Sequence, residues 1–161
     1  MTPSDFNRIR SHVEQRLKKQ KPVVTDNKDG VTTSYIADDS GWAFYMEDQG
    51  RIVAVLDVGF HKHIYGSYVD APYRQRGYST SLYLCAIRTL GELKSDDSLG
   101  TSALRTWKSV ARYHKVELLD YNTDKSVNFE WGPDAMPLLG SKKVPLTKVP
   151  LIYFFKASRG E

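Results

Sequence analysis

The sequence predicts a protein of the α/β (α+β) class, in which helices flank a mainly antiparallel sheet. Three observations lead to this prediction. The chain opens on an amphipathic helical repeat, continues through short stretches rich in β-branched and aromatic residues, and then contains two helical stretches before two closing strands. The early strands are joined by tight turns, and strands joined in this way pair antiparallel.

The first predicted element is an amphipathic helix over residues 5–19. Ser4 precedes this helix as a candidate N-cap. The basic run Arg16 to Lys21 falls at its end, where cations complement the negative end of the helix dipole. The apolar positions recur at helical spacing: Phe6, Ile9, Val13 and Leu17.

A meander of about four strands is predicted after Pro22. The turns "DDSG" and "EDQG" separate its strands. The strands are "GVTTSYIA", the alternating Trp42, Phe44 and Met46, the apolar run "IVAVLDVGF", and "HIYGSYVDA". They open the predicted core, which extends over about residues 30–121.

The second half of the core contains two helices and a strand. A largely buried helix is predicted from Gly77 to about Leu93, and an amphipathic helix over residues 103–111. "KVELLDY" and a C-terminal strand at about residues 149–157 close the fold, and the segment 122–148 between them is predicted to be irregular. Loops of that length in a compact domain are usually functional.

Length and composition predict a single domain over residues 1–161, with 40% hydrophobic and 26% charged residues. No apolar run is long enough to span a bilayer, and the polar start is unlike a secretory signal, so we expect a cytoplasmic protein without a membrane partner. The net charge of +4 permits an anionic ligand without requiring nucleic acid. Cys85 has no activating residue at helical spacing and is expected to be a buried thiol.

The stretch "YVDAPYRQRGYSTSLYL", from Tyr68 to Leu84, joins a predicted strand to a predicted helix. The first N–H groups of such a helix form an anion site, and Gly77 lets a ligand approach the backbone closely. The positive charges and hydroxyls of neighbouring residues suit the oxygens of a diphosphate: Arg74, Arg76, Ser79 and Thr80. The alternative is a basic surface turn whose glycine only ends the strand.

The turn lacks the Lys-Ser/Thr pair of a P-loop and the three glycines of a dinucleotide fingerprint. Arg74 to Ser79, "RQRGYS", instead resembles the coenzyme A pyrophosphate loop of the GNAT-type N-acyltransferase superfamily, Gln/Arg-x-x-Gly-x-Gly/Ala, with serine at the last position. The lead-in "VDAPYRQRGY" is similar to the superfamily's valine-x-x-x-tyrosine-arginine. By the order of elements the resemblance covers about residues 30–122 and part of the final strand, and it is greatest to phage-encoded members.

The resemblance implies a GNAT-like domain with a mixed, mainly antiparallel central sheet flanked by helices, and an acyl-coenzyme A-dependent N-acyltransferase, specifically an acetyltransferase. Acetyl-CoA would be the donor, and the acceptor an amine on a protein, a small molecule or a modified nucleobase. A backbone N–H near Val69 or Asp70 would stabilise the oxyanion. The residues implied in donor binding are Val69, Arg74, Gln75, Arg76, Gly77, Tyr78, Ser79 and Thr80. A phage-encoded member would act in the host cytoplasm.

For the general base, family members often place a glutamate early on the strand before the loop, and His63 stands at that distance here. Asp57 and Asp70 are weaker candidates. Tyr113 and Tyr78 are candidates for the general acid, since tryptophan occupies position 107, where the family often has a tyrosine. The alternative is that the histidines are half-exposed strand residues and the tyrosines are packing residues.

Two other functions remain open. The fold could serve as a non-catalytic module that binds protein or nucleic acid, with the basic helix Arg10 to Lys21 contacting phosphates. It could also belong to a DNA- or RNA-modifying relative of the superfamily. A metal site is not expected, because His61 and His63 lack a third ligand nearby in the sequence. Trp131 is expected to be a lid or packing aromatic on the acceptor side.

Overall fold

The computed structural model describes residues 3–95, 101–139, 142–143 and 153–160. In this part of the chain it contains three α-helices and sheets in which every strand pair is antiparallel, and the largest sheet has five strands. The α+β class is therefore confirmed. The chain divides into two compact units, Met1–Ala86 and Ile87–Glu161. The single domain stays a prediction.

The first unit contains one helix and a five-stranded sheet of order β1-β2-β3-β4-β5. Its elements are α1 (Pro3–Leu17), β1 (Val23–Lys28), β2 (Val31–Asp38), β3 (Gly41–Asp48), β4 (Arg51–Gly59) and β5 (Ile64–Val69). The four predicted strands are confirmed, and α1 begins and ends two residues before the predicted bounds. Ser4 therefore lies within α1 rather than at its cap. β1 was not predicted, because all six of its side chains are exposed and show no apolar alternation.

The helix α1 packs against one face of this sheet. Its Val13 is fully buried in a cluster with strand residues, and Ile9 and Leu17 pack at the edge of that cluster. Full burial of an aliphatic side chain contributes about 1.5–3 kcal/mol to stability, which accounts for the helical apolar repeat. The strand members of the cluster are Ile36, Ala43, Tyr45, Ile52 and Val55.

Two hairpins of the sheet close with two-residue turns. Asp29 (φ 53°) and Gly30 (φ 81°) join β1 to β2, and Gln49 (φ 52°) and Gly50 (φ 80°) join β3 to β4. Two consecutive residues at positive φ form the turn whose twist matches that of antiparallel strands. The β3–β4 turn is the one that the sequence predicts as "EDQG", whereas the β1–β2 turn was not predicted, because β1 was not.

The second helix, α2 (Tyr78–Leu90), ends earlier than predicted. Gly91 adopts φ 86° and its N–H donates to the carbonyl of Ile87 at 2.8 Å, which terminates the helix. The next residues form β6 (Glu92–Lys94) instead of a further helical turn. Cys85, on α2, is 2% exposed with its Sγ 3.4 Å from Thr25 Oγ1, so the prediction of a buried thiol is confirmed.

The second unit contains α3 (Thr101–Val110) and a four-stranded sheet of order β6-β12-β7-β8. Phe155 on β12 is fully buried between two stacked indoles, those of Trp107 at 5.7 Å and Trp131 at 5.3 Å between ring centroids. Trp131 therefore packs against the core, and its expected role as a lid on the acceptor side stays a prediction. The remaining strands of this sheet are β7 (Lys115–Asp120), β8 (Ser126–Val127) and β12 (Tyr153–Ser158).

The described part of the segment 122–148, residues 122–139 and 142–143, is more regular than predicted. It contains β8 and a small sheet of order β11-β10-β9, formed by β9 (Glu130–Trp131), β10 (Pro137–Leu139) and β11 (Lys142–Lys143). Strands of two or three residues are too short to show a periodicity in the sequence. Residues 149–152 of the predicted C-terminal strand lie outside the described residues, and the strand continues to Ser158. None of the described helices is long and apolar enough to cross a membrane.

Candidate functional site

The predicted diphosphate site falls at residues 69–80, here called the strand–helix corner. β5 ends at Val69, a 3-10 turn occupies Ala71–Tyr73, and α2 begins at Tyr78. Asp70 starts the turn, because its Oδ1 accepts a hydrogen bond from Ala71 N at 3.0 Å. The carbonyl of Asp70 also accepts from Tyr73 N at 2.8 Å. The chain therefore changes from strand to helix through a turn capped by its own aspartate.

The backbone of the corner is open at Gly77. This glycine adopts φ 78°, and a Cβ built on it meets no atom within 4 Å outside its two chain neighbours, so the space beside its Cα is open. Ser81 N donates to the carbonyl of Gly77 at 3.0 Å, which makes Gly77 the N-cap of α2. The amides of Tyr78, Ser79 and Thr80 consequently have no acceptor within the helix. Glycine also provides no capping side chain for them.

The two arginines of the corner are exposed. Arg74 Nε donates to the carbonyl of Val69 at 3.3 Å, and the guanidinium of Arg76 lies 5.0 Å from the ring centroid of Tyr73. The second ring beside Tyr73 is that of Tyr78, stacked at 6.0 Å. Aromatic contact orients the Arg76 guanidinium and leaves its charge at the surface. The corner thus presents helix amides and positive charge together.

Tyr73 is a part of the corner that sequence analysis did not assign. Its hydroxyl donates to Asp48 Oδ2 at 2.8 Å, and this hydrogen bond raises the pKa of Tyr73. Because Asp48 ends β3, the bond connects the corner to the β3–β4 hairpin. The signal was present in the lead-in "VDAPYR", whose tyrosine is Tyr73.

Arg10 of α1 is the second unassigned part. It is 8% exposed, and it donates through Nε to the carbonyl of Ile52, through Nη1 to Asn7 Oδ1 and through Nη2 to Asp70 Oδ2, at 2.8, 2.6 and 2.8 Å. The guanidinium also lies over the ring of Phe6. Arg10 therefore holds α1, β4 and the corner together. Its burial removes it from the basic surface that the sequence predicted over Arg10 to Lys21.

The polar groups of Asp70 are occupied by hydrogen bonds within the fold. Its carboxylate accepts from Arg10 and from Ala71, and its N–H donates to the carbonyl of Val53 at 2.9 Å. The amide of Asp70 is therefore occupied in the sheet, so it is not an open oxyanion donor. Backbone groups alternate in direction along an antiparallel strand, so the N–H of Val69 points away from β4.

His63 lies at the opposite end of β5 from the corner. It directly precedes the strand, and its carbonyl accepts from Gly59 N at 2.8 Å. A rise of about 3.3 Å per residue puts roughly 20 Å between His63 and Asp70. The two predicted base candidates therefore cannot act on the same reacting atom. In coenzyme A thioesters the diphosphate and the acyl group are at distant parts of the molecule, so the role of His63 stays a prediction.

Asp57 on β4, the remaining candidate for the general base, lies beside α1. Arg16 lies between two carboxylates, with Nη1 3.5 Å from Asp57 Oδ1 and Nη2 2.6 Å from Asp38 Oδ2. Burial raises the pKa of Asp57, and the charges of Arg16 and His12 offset this only in part. Burial also acts to raise the pKa of Asp38, but hydrogen bonds with Ser40 and the charge of Arg16 lower it overall. The cluster anchors the C-terminal end of α1 to the sheet.

The candidates for the general acid lie in different places. Tyr78 is half-buried and stacks on Tyr73 within the corner. Tyr113 belongs to the second unit, follows α3 and is 65% exposed. Trp107, at the position of the family tyrosine, is fully buried in the aromatic core. Among the described residues, no group of three or more His, Cys, Asp or Glu side chains could hold a metal ion.

Protein-family models, curated proteins and solved structures were compared with this chain, and none of them matches it. The function is therefore inferred from the geometry and chemistry of the strand–helix corner. Its defining features are a helix start whose N-cap is glycine, positive φ at that glycine with open space beside its Cα, and two exposed arginines.

Proposed function

We propose that this chain is an acyl-coenzyme A-dependent N-acyltransferase with a GNAT-type fold, and that it transfers an acetyl group from acetyl-CoA to an amine. The observation that carries the proposal is the open N-cap at Gly77, within a turn whose sequence resembles the coenzyme A pyrophosphate loop. Relative to serine, threonine, asparagine or aspartate, glycine at an N-cap costs only roughly a few tenths of a kcal/mol. It brings no side-chain acceptor of its own, so the first amides of α2 stay open to the oxygens of a ligand at little cost in stability.

The corner suits the diphosphate of the donor. The amides of Tyr78, Ser79 and Thr80 would donate to its oxygens, supported by the positive end of the α2 dipole. Arg76 adds charge from the side of the turn. A hydrogen bond to a charged group contributes about 1.5–3 kcal/mol, so three of them would contribute about 4.5–9 kcal/mol to donor binding.

The pantetheine arm of the donor has two amides, which can pair with a strand edge. β5 is the last strand of the five-stranded sheet. Because Asp70 N points towards β4, the backbone groups of Val69 and Ser67 point away from it. We assign the arm to this edge of β5, which runs from the corner towards His63.

The reaction that follows is a direct transfer. The neutral amine nitrogen attacks the thioester carbonyl carbon, a C–N bond forms, and the carbonyl electrons move to the oxygen. Collapse of this intermediate breaks the C–S bond, the thiolate takes up a proton, and the amine gives up one. His63 is the candidate to accept the amine proton, while Asp70 is already held by Arg10.

Titration calorimetry with acetyl-CoA tests the donor site. Gly77→Ala should weaken binding about tenfold or more, because the added methyl group points into the open corner and the residue must keep φ 78°. Gly30→Ala is the matched control, since Gly30 has φ 81° and likewise no atom within 4 Å. Absence of wild-type binding at about 1 mM, or equal affinity in both variants, would contradict the proposal.

Catalysis is tested by thiol release and product mass with a panel of amines: a lysine peptide, a polyamine, an aminoglycoside and a nucleobase amine. His63→Ala should lower turnover and leave acetyl-CoA binding unchanged. Equal turnover of this variant and the wild type from pH 6 to about pH 9 would remove His63 from the mechanism.

A second candidate is a GNAT-fold module that binds coenzyme A without turnover. The observations that favour it are the occupied amide and carboxylate of Asp70 and the burial of Trp107 at the position of the family acid. Saturable binding of acetyl-CoA with no thiol released from any amine would support this module over the enzyme.

A further inference from the structure

The tip of the β4–β5 hairpin exposes two aromatic rings. Phe60 and Tyr65 are each 65% exposed, and the basic sequence His61-Lys62-His63 lies between them. A single exposed apolar side chain is common on a protein surface, whereas exposed apolar side chains that lie together in a patch mark contact sites. Phe60, the basic tripeptide and Tyr65 are together called the aromatic tip.

The turn holds Phe60 outward. Lys62 N donates to the carbonyl of Gly59 at 2.8 Å, and Gly59 N donates to the carbonyl of His63 at 2.8 Å. Lys62 adopts φ 70°, as expected for a tight hairpin whose turn ends on a left-handed residue. Phe60 and His61 therefore occupy the two central positions, with their rings edge to face at 5.5 Å.

Tyr65 is positioned by an irregularity in the ladder. Asp57 pairs with Gly66 and Val58 pairs with Ile64, so Tyr65 has no direct partner on β4. One edge of its ring occupies the space where a Cβ of residue 59 would stand. Gly59 thus seats the ring, and most of the ring surface remains open to solvent.

Positive charge is present at the same end of the sheet. Arg16 contacts Asp38 and Asp57, which places the end of α1 beside the strand ends that lead into the tip. The residues that follow α1 include three exposed lysines: Lys18, Lys19 and Lys21. Glu14 on α1 and Asp39 in the β2–β3 turn are exposed carboxylates of the elements that meet there, and the carboxylates of Asp38 and Asp57 are paired with Arg16.

We propose that the aromatic tip and the lysines after α1 form a binding site for single-stranded nucleic acid. Bases would stack on Phe60 and Tyr65, and phosphates would be held by Lys62 and by the lysines after α1. Exposed rings beside basic side chains match the alternation of base faces and phosphates along a single strand. Duplexes hide their base faces, and two rings alone bury too little apolar area to anchor a membrane. The site does not depend on acetyl-CoA binding.

Fluorescence anisotropy of a labelled oligothymidylate with the full chain tests this site. Phe60→Ala and Tyr65→Ala should each weaken binding by about five- to a hundredfold, the range expected for one lost base stack. Phe60→Leu should weaken it similarly and Phe60→Tyr should restore it, because stacking needs an aromatic face. Tyr113→Ala is the matched control, since Tyr113 is also 65% exposed and does not belong to the β4–β5 hairpin.

A salt titration separates the contribution of base stacking to the affinity from the contribution of charge. Lys18→Ala should reduce the slope of log affinity against log salt by about 0.7, the value for one phosphate on a single strand. Gly77→Ala should leave oligothymidylate binding unchanged, which keeps this test separate from that of the transferase. Three results would overturn the proposal: no binding at low salt, full affinity in Phe60→Leu, or preference for duplex DNA or anionic vesicles.

Discussion

Replacement of Arg10 by methionine is the most direct test of how the strand–helix corner is held. The change removes all three hydrogen bonds of the guanidinium and leaves the Asp70 carboxylate without its ion-pair partner. Methionine has a helix propensity close to that of arginine and keeps apolar contact with Phe6, so α1 itself is little affected. The loss of stability in Arg10→Met then measures how strongly Arg10 connects α1, β4 and the corner.

The expected magnitude follows from burial. Removing one partner of a fully buried ion pair costs about 3–5 kcal/mol, and an exposed pair contributes about 0–1 kcal/mol. The side chains of Arg10 and Asp70 are 10% and 15% exposed, close to the buried limit. We expect Arg10→Met to lower the free energy of unfolding by about 2–4 kcal/mol.

Urea denaturation followed by circular dichroism measures this loss. Arg8→Ala is the control on the same helix, because Arg8 is 79% exposed and 3.8 Å from Asp5, and it should cost less than about 0.5 kcal/mol. Asp70→Asn keeps the acceptor for Ala71 N, so a double-mutant cycle with Arg10→Met isolates the ion pair. A loss below about 0.5 kcal/mol in Arg10→Met would refute the anchoring role.

Three further outcomes are expected. Gly41→Ala should cost about 2–5 kcal/mol in denaturation, since its Cβ would collide with the Val58 carbonyl, while Gly50→Ala, which meets no atom, should cost about 1 kcal/mol. Asp57→Asn should have a higher melting temperature than the wild type at pH 8. The pKa of Asp57 is raised in the fold, so its protonated form stabilises the fold, and this stabilisation is lost as the pH rises through the folded pKa. An equal or lower melting temperature of Asp57→Asn would contradict this reasoning. The difference in melting temperature between Asp57→Asn and the wild type should disappear as the pH falls through the folded pKa of Asp57. Phe155→Ala should cost about 3–5 kcal/mol and change tryptophan fluorescence; an unchanged spectrum would argue against the stack.

Sequence patterns located most of the fold where burial is periodic. The helical repeat of α1, the β-branched residues of β2, the alternation in β3 and the apolar run of β4 are local signals, and the structure reproduces α1 and β2 to β5 within about two residues. β1 and the short strands of the segment 122–148 were missed for a common reason. An exposed edge strand and strands of two or three residues carry no periodic apolar signal, so only pairing with neighbours defines them.

The features of the candidate site also fall into those that the sequence predicted and those that it did not. The strand–turn–helix passage through Gly77 could be predicted, because glycine and the apolar runs on either side are adjacent in the chain. The contact of Arg10 with Asp70 joins residues 60 positions apart, and that of Tyr73 with Asp48 joins residues 25 apart. No local pattern relates such residues. The same contacts show that Asp70 has a structural task that its place before the turn did not reveal.

The amino-acid sequence by itself determined the α+β class, the meander and the turn at Gly77, because each of these is set by spacing along a short stretch of chain. Only the tertiary structure decided which polar groups are occupied, since it brings α1, β3 and β4 against the corner. It also decided that Phe60 and Tyr65 are exposed together at one hairpin end. Burial and partners are properties of packed surfaces, and packing depends on residues that are distant in the chain.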